Sequence, residues 1–196
     1  MAQTLDSLKG QFLIATPDMT DERFAGTVIY LVAHGEDGAM GLVVNQPMPD
    51  MHLSDILDEI DMGENADSIR ISPNLLKQDV LRGGPVDSSR GFVLHTSDYF
   101  RDGNSYLVED NICLTATLDV LRAIADGSGP EKSLLALGYC GWGAGQLENE
   151  LKQNGWLTAP RSNDLLFSVP IAKRYDKALA TLGINRANLS PSSGSA

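Results

Sequence analysis

The run Thr27-Val28-Ile29-Tyr30-Leu31-Val32-Ala33 constrains this chain more than any other segment. It is almost wholly β-branched and apolar, the strongest strand signal in the sequence. His34-Gly35-Glu36-Asp37-Gly38 follows as a turn, with glycines that tolerate positive φ. Ala39 to Asn45 reads as the return strand. The pair predicts a β-hairpin with a longer loop, ended by Gln46-Pro47-Met48-Pro49.

The remaining elements are shorter. Gln11 to Ala15 predicts a strand, broken at Pro17. Leu53, Ile56, Leu57 and Ile60 fall at helical spacing. Ile69 to Ile71, Asp79 to Arg82, Gly91 to His95 and Ser105 to Val108 read as strands, with Gly83-Gly84-Pro85 as a sharp break among them. Thr115 to Ala125 predicts a helix with Thr115 as N-cap and Gly127 as its stop. Ser133 to Tyr139 is a buried strand, followed by a glycine-rich turn at Gly141 to Gly145 and a helix from about Gln146 to Gln153. Trp156 and Leu165 to Val169 suggest two more strands, and Ala172 to Leu182 an amphipathic helix closed by Gly183. Strands come in runs broken by isolated helices, which argues for α+β over a doubly wound parallel sheet. Residues 1–189 are expected to form one domain, with 190–196 a loosely held tail.

Composition narrows the function classes. With 42% hydrophobic and 21% charged residues among 196, the chain can build a packed core, and disorder is excluded as a global description. The formal charge is −11, and the basic residues are scattered singly from Lys9 to Arg186. That disfavours direct nucleic-acid binding, which draws its affinity from clustered Lys and Arg. The longest apolar stretch, Val28 to Ala33, is far short of a membrane span. Met1 to Lys9 carries no basic or long apolar leader. A cytoplasmic, reducing location is expected, with Cys113 and Cys140 as free thiols.

Two segments are candidates for chemistry. Leu137 to Leu147 reads strand, glycine-rich turn, helix start. Such a turn exposes backbone N–H groups beside a helix N-terminus and suits an anion. It lacks the Lys and Ser/Thr of a phosphate loop, and a purely structural turn with Trp142 packed against the chain is the other reading. Gly83-Gly84-Pro85 is either a plain turn or one wall of a pocket shared with the first segment. Asn45, at the end of an apolar strand, can cap backbone groups or reach a ligand. Cys140 as a nucleophile would require a base such as His95. His34, His52 and His95 show no metal-ligand spacing, and the acids from Asp58 to Asp67 lack a calcium-loop pattern.

Taken together, four blocks resemble the YqgE/AlgH family of small bacterial proteins over about Leu8 to Leu189. They are Leu8 to Ala15 with Asp21 and Phe24; His34 with Gly38 to Pro47; Gly83 to Val86 with Arg90 to His95; and Leu137 to Tyr139 with Gly141-Trp142, Gly145 to Glu148 and Glu150-Leu151. The resemblance implies an α+β fold with a bent or bifurcated, mostly antiparallel sheet forming a pseudo-barrel flanked by helices. One family member was named as a transcriptional regulator of alginate production. No catalytic residues carry over. The chain departs from the family pattern at Ala33, where Glu is common, and at Gly194-Ser195-Ala196, where Gly-His-Ala is common.

The expectation is therefore a binding or regulatory module without a catalytic constellation, metal or cofactor. Its partner is an unknown protein or a small polar or anionic ligand. The ligand residues expected are Asn45, Gly83, Gly84, Pro85, Gly141, Trp142, Gly145 and Gln146.

Overall fold

A computed structural model describes residues 7–59 and 77–185. Ten strands lie within them: β1 (Phe12–Ala15), β2 (Val28–Gly35), β3 (Gly38–Val43), β4 (Pro47–His52), β5 (Asp79–Arg82), β6 (Val86–Thr96), β7 (Ser105–Glu109), β8 (Ile112–Thr115), β9 (Ser133–Gly143) and β10 (Trp156–Ala159). The helices are α1 (Leu53–Glu59), α2 (Leu118–Asp126), α3 (Gln146–Lys152), α4 (Asn163–Phe167) and α5 (Arg174–Thr181). The fold is α+β, with a curled, mostly antiparallel sheet forming a half-barrel flanked by helices.

The main sheet runs β10-β1-β2-β3-β9-β6-β8-β7. Its long strand β9 is a fork. Leu134 to Leu137 pair with β6, and Ala136 and Leu137 pair on their other side with β5, in parallel. Cys140 to Gly143 pair instead with β3. The branch point is Gly138, whose φ of 74° lies where only glycine sits without strain.

Strand alternation sorts the side chains. Phe12, Ile14, Tyr30, Leu94, Leu134 and Ala136 join one continuous cluster on one face, covered by Leu165, Leu166, Tyr175 and Leu179 of α4 and α5. The opposite face is divided. Val93 and Leu135 pack with α1 and α2, whereas Leu13, Ile29, Leu31 and Trp142 pack with Leu147 of α3. Strands covered on both faces read as unbroken apolar runs, which is why Thr27 to Ala33 stood out.

Several expectations are corrected. The β2–β3 loop is tight, with Gly35 opposite Gly38 and only Glu36 and Asp37 between. Gly141 to Gly143 are not a turn but the end of β9, held by β3. Leu165 to Val169 do not form a strand: Asn163–Phe167 is a helix capped by the Ser162 side chain, which accepts from Leu165 N at 3.2 Å. Thr115 is not an N-cap; it ends β8, and α2 starts after Thr117. Gln46 to Pro49, read as a terminator, lead into and partly form β4 (Pro47–His52), an edge strand where proline costs no ladder bond. The expected strand at Ile69 to Ile71 and the tail at 190–196 lie outside the described residues.

Candidate functional site

Glycine at positions 83 and 84 is dictated by contact with the fork. A Cβ on Gly83 would stand 2.3 Å from Gly138 O, and one on Gly84 would stand 2.2 Å from the Tyr139 carbonyl carbon. No side chain fits at either distance. The corner is also stitched across the seam: Gly83 N donates to Leu137 O at 2.7 Å, and Val43 N donates to Gly83 O at 2.8 Å. The corner thus binds β5, β9 and β3 where the sheet divides.

Two hollows flank Pro85 on the divided face. The first, about 470 Å³, is walled by Gln46, Met48, Arg82, Gly84, Pro85 and Ser88. The second, about 430 Å³, is walled by Pro85, Gly141, Trp142, Gln146, Glu150 and Trp156. Arg23, Phe24 and Pro85 line both. Arg23 pairs with Asp21 at 2.7 Å and lies over the Phe24 ring at 5.5 Å. The side-chain hydrogen bonds from Arg23 hold the Asp21 carboxyl below its usual range.

Glu150 organises the second hollow. Its Oε2 accepts from Trp142 Nε1 at 2.9 Å and from Trp156 Nε1 at 2.8 Å, while its Oε1 accepts from Gln146 Nε2 at 2.9 Å. The two indoles meet edge-on, 6.1 Å between centroids. Gln146 turns its other amide atom to the backbone, accepting from Gly143 N at 3.0 Å. An N–H that the sequence offered to an anion is therefore bonded within the fold.

Of the eight residues expected to line a pocket, Gly84 and Pro85 wall the first hollow, and Pro85, Gly141, Trp142 and Gln146 the second. Gly83 is in the seam behind them. Gly145 is an exposed αL residue ahead of α3, in neither wall. Asn45 is a backbone clamp, accepting from Val28 N at 2.7 Å and donating to Gly26 O at 2.8 Å. Sequence reasoning missed Arg23, Glu150 and Trp156. Glu150 was accessible: it stands four residues after Gln146, on the same helix face.

The Cys140–His95 pairing is excluded. His95 stands opposite Ser133, seven residues along β9 from Cys140, or about 23 Å at strand spacing. Both are otherwise engaged. Burial pushes the Cys140 thiol up to about 12, and its Sγ faces Gly83 O at 3.5 Å. His95 is fully buried between Thr96 O and the Thr115 hydroxyl, both at 2.9 Å, and burial lowers its pKa. Cys113 is likewise buried and free, its pKa raised by burial. His34 is a structural clamp: its Nδ1 accepts from Leu8 N at 3.0 Å, which leaves Nε2–H to donate to Glu148 at 2.9 Å. Among the described residues no group of three or more His, Cys, Asp or Glu is placed to hold a metal, and no helix is long and apolar enough to cross a membrane.

Comparison with known proteins gives a consistent result. A profile of the AlgH-like family matches residues 12–187. A UPF0301 protein of Methylobacterium nodulans is 52% identical over 189 residues, covering 96% of this chain and 90% of its own length. A UPF0301 protein of Rhizobium meliloti is 49% identical over 189 residues, covering 96% and 93%. The solution structure of AlgH from Pseudomonas aeruginosa superimposes with a TM-score of 0.75 at 43% identity over the full length of both chains. A crystal structure of a Corynebacterium diphtheriae protein shares the fold at 17% identity, with a TM-score of 0.69 over 91% of this chain and 88% of that one.

Proposed function

This chain belongs to the AlgH-like family, and from that premise we propose that it is a binding module whose ligand sits against Pro85 in the paired hollows of the divided face. One observation supports this reading above others: Arg23, Phe24 and Pro85 wall both hollows, so the Gly83–Pro85 corner and the tryptophan pair border one concave region. Rigid backbone on one side and aromatic rings on the other suit a small ligand with a planar part. Carboxylates of Asp21, Glu22 and Glu150 stand among the guanidiniums of Arg23 and Arg82. That mixed charge favours an uncharged or zwitterionic polar molecule over a simple anion.

The chain's only two tryptophans line the second hollow, so fluorescence excited selectively at tryptophan reports on it. Titration with nucleosides, amino acids and sugars should give a saturable change for at least one compound. A flat response across the panel, with no thermal shift, would sink the reading.

A regulatory role on transcription, the label that the resemblance carries, fits protein contacts better than base contacts. A net charge of −11 opposes the phosphate backbone. No shift of duplex DNA in a gel is expected even at low salt; a salt-dependent shift would contradict this.

A further inference from the structure

On the other face of the sheet lies a third hollow, about 700 Å³, between Leu134 of β9 and the segment Phe167 to Ala172 that enters α5. Its wall contains Arg174, whose burial is exceptional: the residue is 3% exposed. Buried arginines are normally paired with carboxylates. Arg174 is held only by backbone carbonyls, with Nε donating to Val169 O at 3.0 Å and Nη1 to Val44 O. Among the described residues no carboxylate comes within ion-pairing distance of it. A guanidinium carries five N–H donors, so its donor capacity is only partly used.

Position makes the imbalance worse. A 3-10 turn, Ile171–Lys173, runs directly into α5, and Arg174 lies at the N-terminal end of that helical stretch. This is the positive end of the helix dipole, where a cation is disfavoured. The cap residue, Pro170, offers no side-chain acceptor to the first-turn amides of Ile171 and Ala172, and both residues line the same hollow. Lys77 and Lys132 add two further cations to the wall, against the carboxylates of Asp79 and Glu131. Burial pulls the Arg174 pKa down to about 10, so the side chain keeps its charge at neutral pH. A buried cation with no carboxylate partner among the described residues and a mostly apolar hollow that also carries two lysines coincide in a chain that is acidic overall.

We propose that this hollow is an oxyanion site in which Arg174, with Lys77 and Lys132 of the same wall, binds the phosphate or carboxylate group of a small molecule. The bound anion supplies a counter-charge that none of the described residues provides by ion pairing. Asp79 and Glu131 limit the site to one such group and disfavour a polyanion.

The test is a titration of the ¹⁵N-labelled full chain with inorganic phosphate and, separately, with acetate, at ionic strength held constant with sodium chloride. Saturable shifts of the Arg174 Nε–H and of the Ile171 and Ala172 amides are expected in at least one arm; the arm that saturates identifies the group. Arg174→Gln should weaken binding by about tenfold or more, as loss of a charge-assisted hydrogen bond requires. Where that variant fails to fold, Lys132→Glu, an exposed change, should weaken it by about two- to fivefold. Linear, non-saturating shifts in both arms would overturn the site, as would binding that neither substitution alters.

Discussion

The hollows at Pro85 and the hollow at Arg174 lie on opposite faces of one sheet and are built on opposite principles. At Pro85 the backbone is crowded and its polar groups are satisfied. Gly83 bonds to Leu137 and Val43, Gly143 to Gln146, and Glu150 collects three donors. At Arg174 the packing leaves a buried charge without a carboxylate partner among the described residues. Glycine-rich corners draw the eye in a sequence as anion cradles, but here close packing at the fork accounts for the glycines. A single arginine, unremarked in an amphipathic helix, makes the stronger electrostatic demand.

The largest effect that can break this comparison is at Gly84. Gly84→Ala drives a Cβ into the Tyr139 backbone and should cost about 4 kcal/mol or prevent folding. Denaturant unfolding measures it, and a mild loss would mean the corner yields and is not the rigid seam described. Asn45→Ala removes a cap serving Val28 and Gly26. It should cost about 1–2 kcal/mol while leaving the fluorescence titrations of the Pro85 hollows unchanged. Altered affinity there would make Asn45 a ligand residue after all. Gly145→Ala meets no atom within 4 Å and suffers only from its φ of 71°, a penalty of about 1 kcal/mol.

The smallest expected effect is a pH dependence from His95. Burial lowers its folded-state pKa beneath the ordinary value of 6.5. The unfolded chain therefore takes up the proton first, and stability falls as pH drops below 6.5 towards the folded pKa. Thermal melts across that range should show the decline, and His95→Gln should flatten it. An unchanged slope in the variant would place the acid sensitivity elsewhere.

Much of the fold was legible. The β2–β3 hairpin followed from its β-branched run, and α2 ended at Gly127 in the αL conformation that its glycine predicted. The errors have physical causes. Gly141 and Gly143 have low strand propensity, yet β3 pairs with them and holds the strand to its end. A five-residue apolar run such as Leu165 to Val169 has no period that separates helix from strand, and the Ser162 cap decided it. At the candidate site, Pro85, Trp142 and Gln146 were identifiable from the glycine-rich blocks. Arg23 and Trp156 were not, because the chain reaches the same hollow from distant segments. Arg174 left one clue: it stands four residues before Ala178, as Tyr175 stands before Leu179, on the face that is buried.

One pair of spectra compares the two regions directly: the ¹⁵N–¹H correlation map of the wild-type chain with and without high concentrations of inorganic phosphate and, separately, of acetate, at least one of which should give the result. An oxyanion site opposite the Pro85 hollows predicts that the Arg174 Nε–H moves while the indole N–H signals of Trp142 and Trp156 stay in place. Movement of both indoles with Arg174 silent would put the anion at the glycine corner and contradict the assignment.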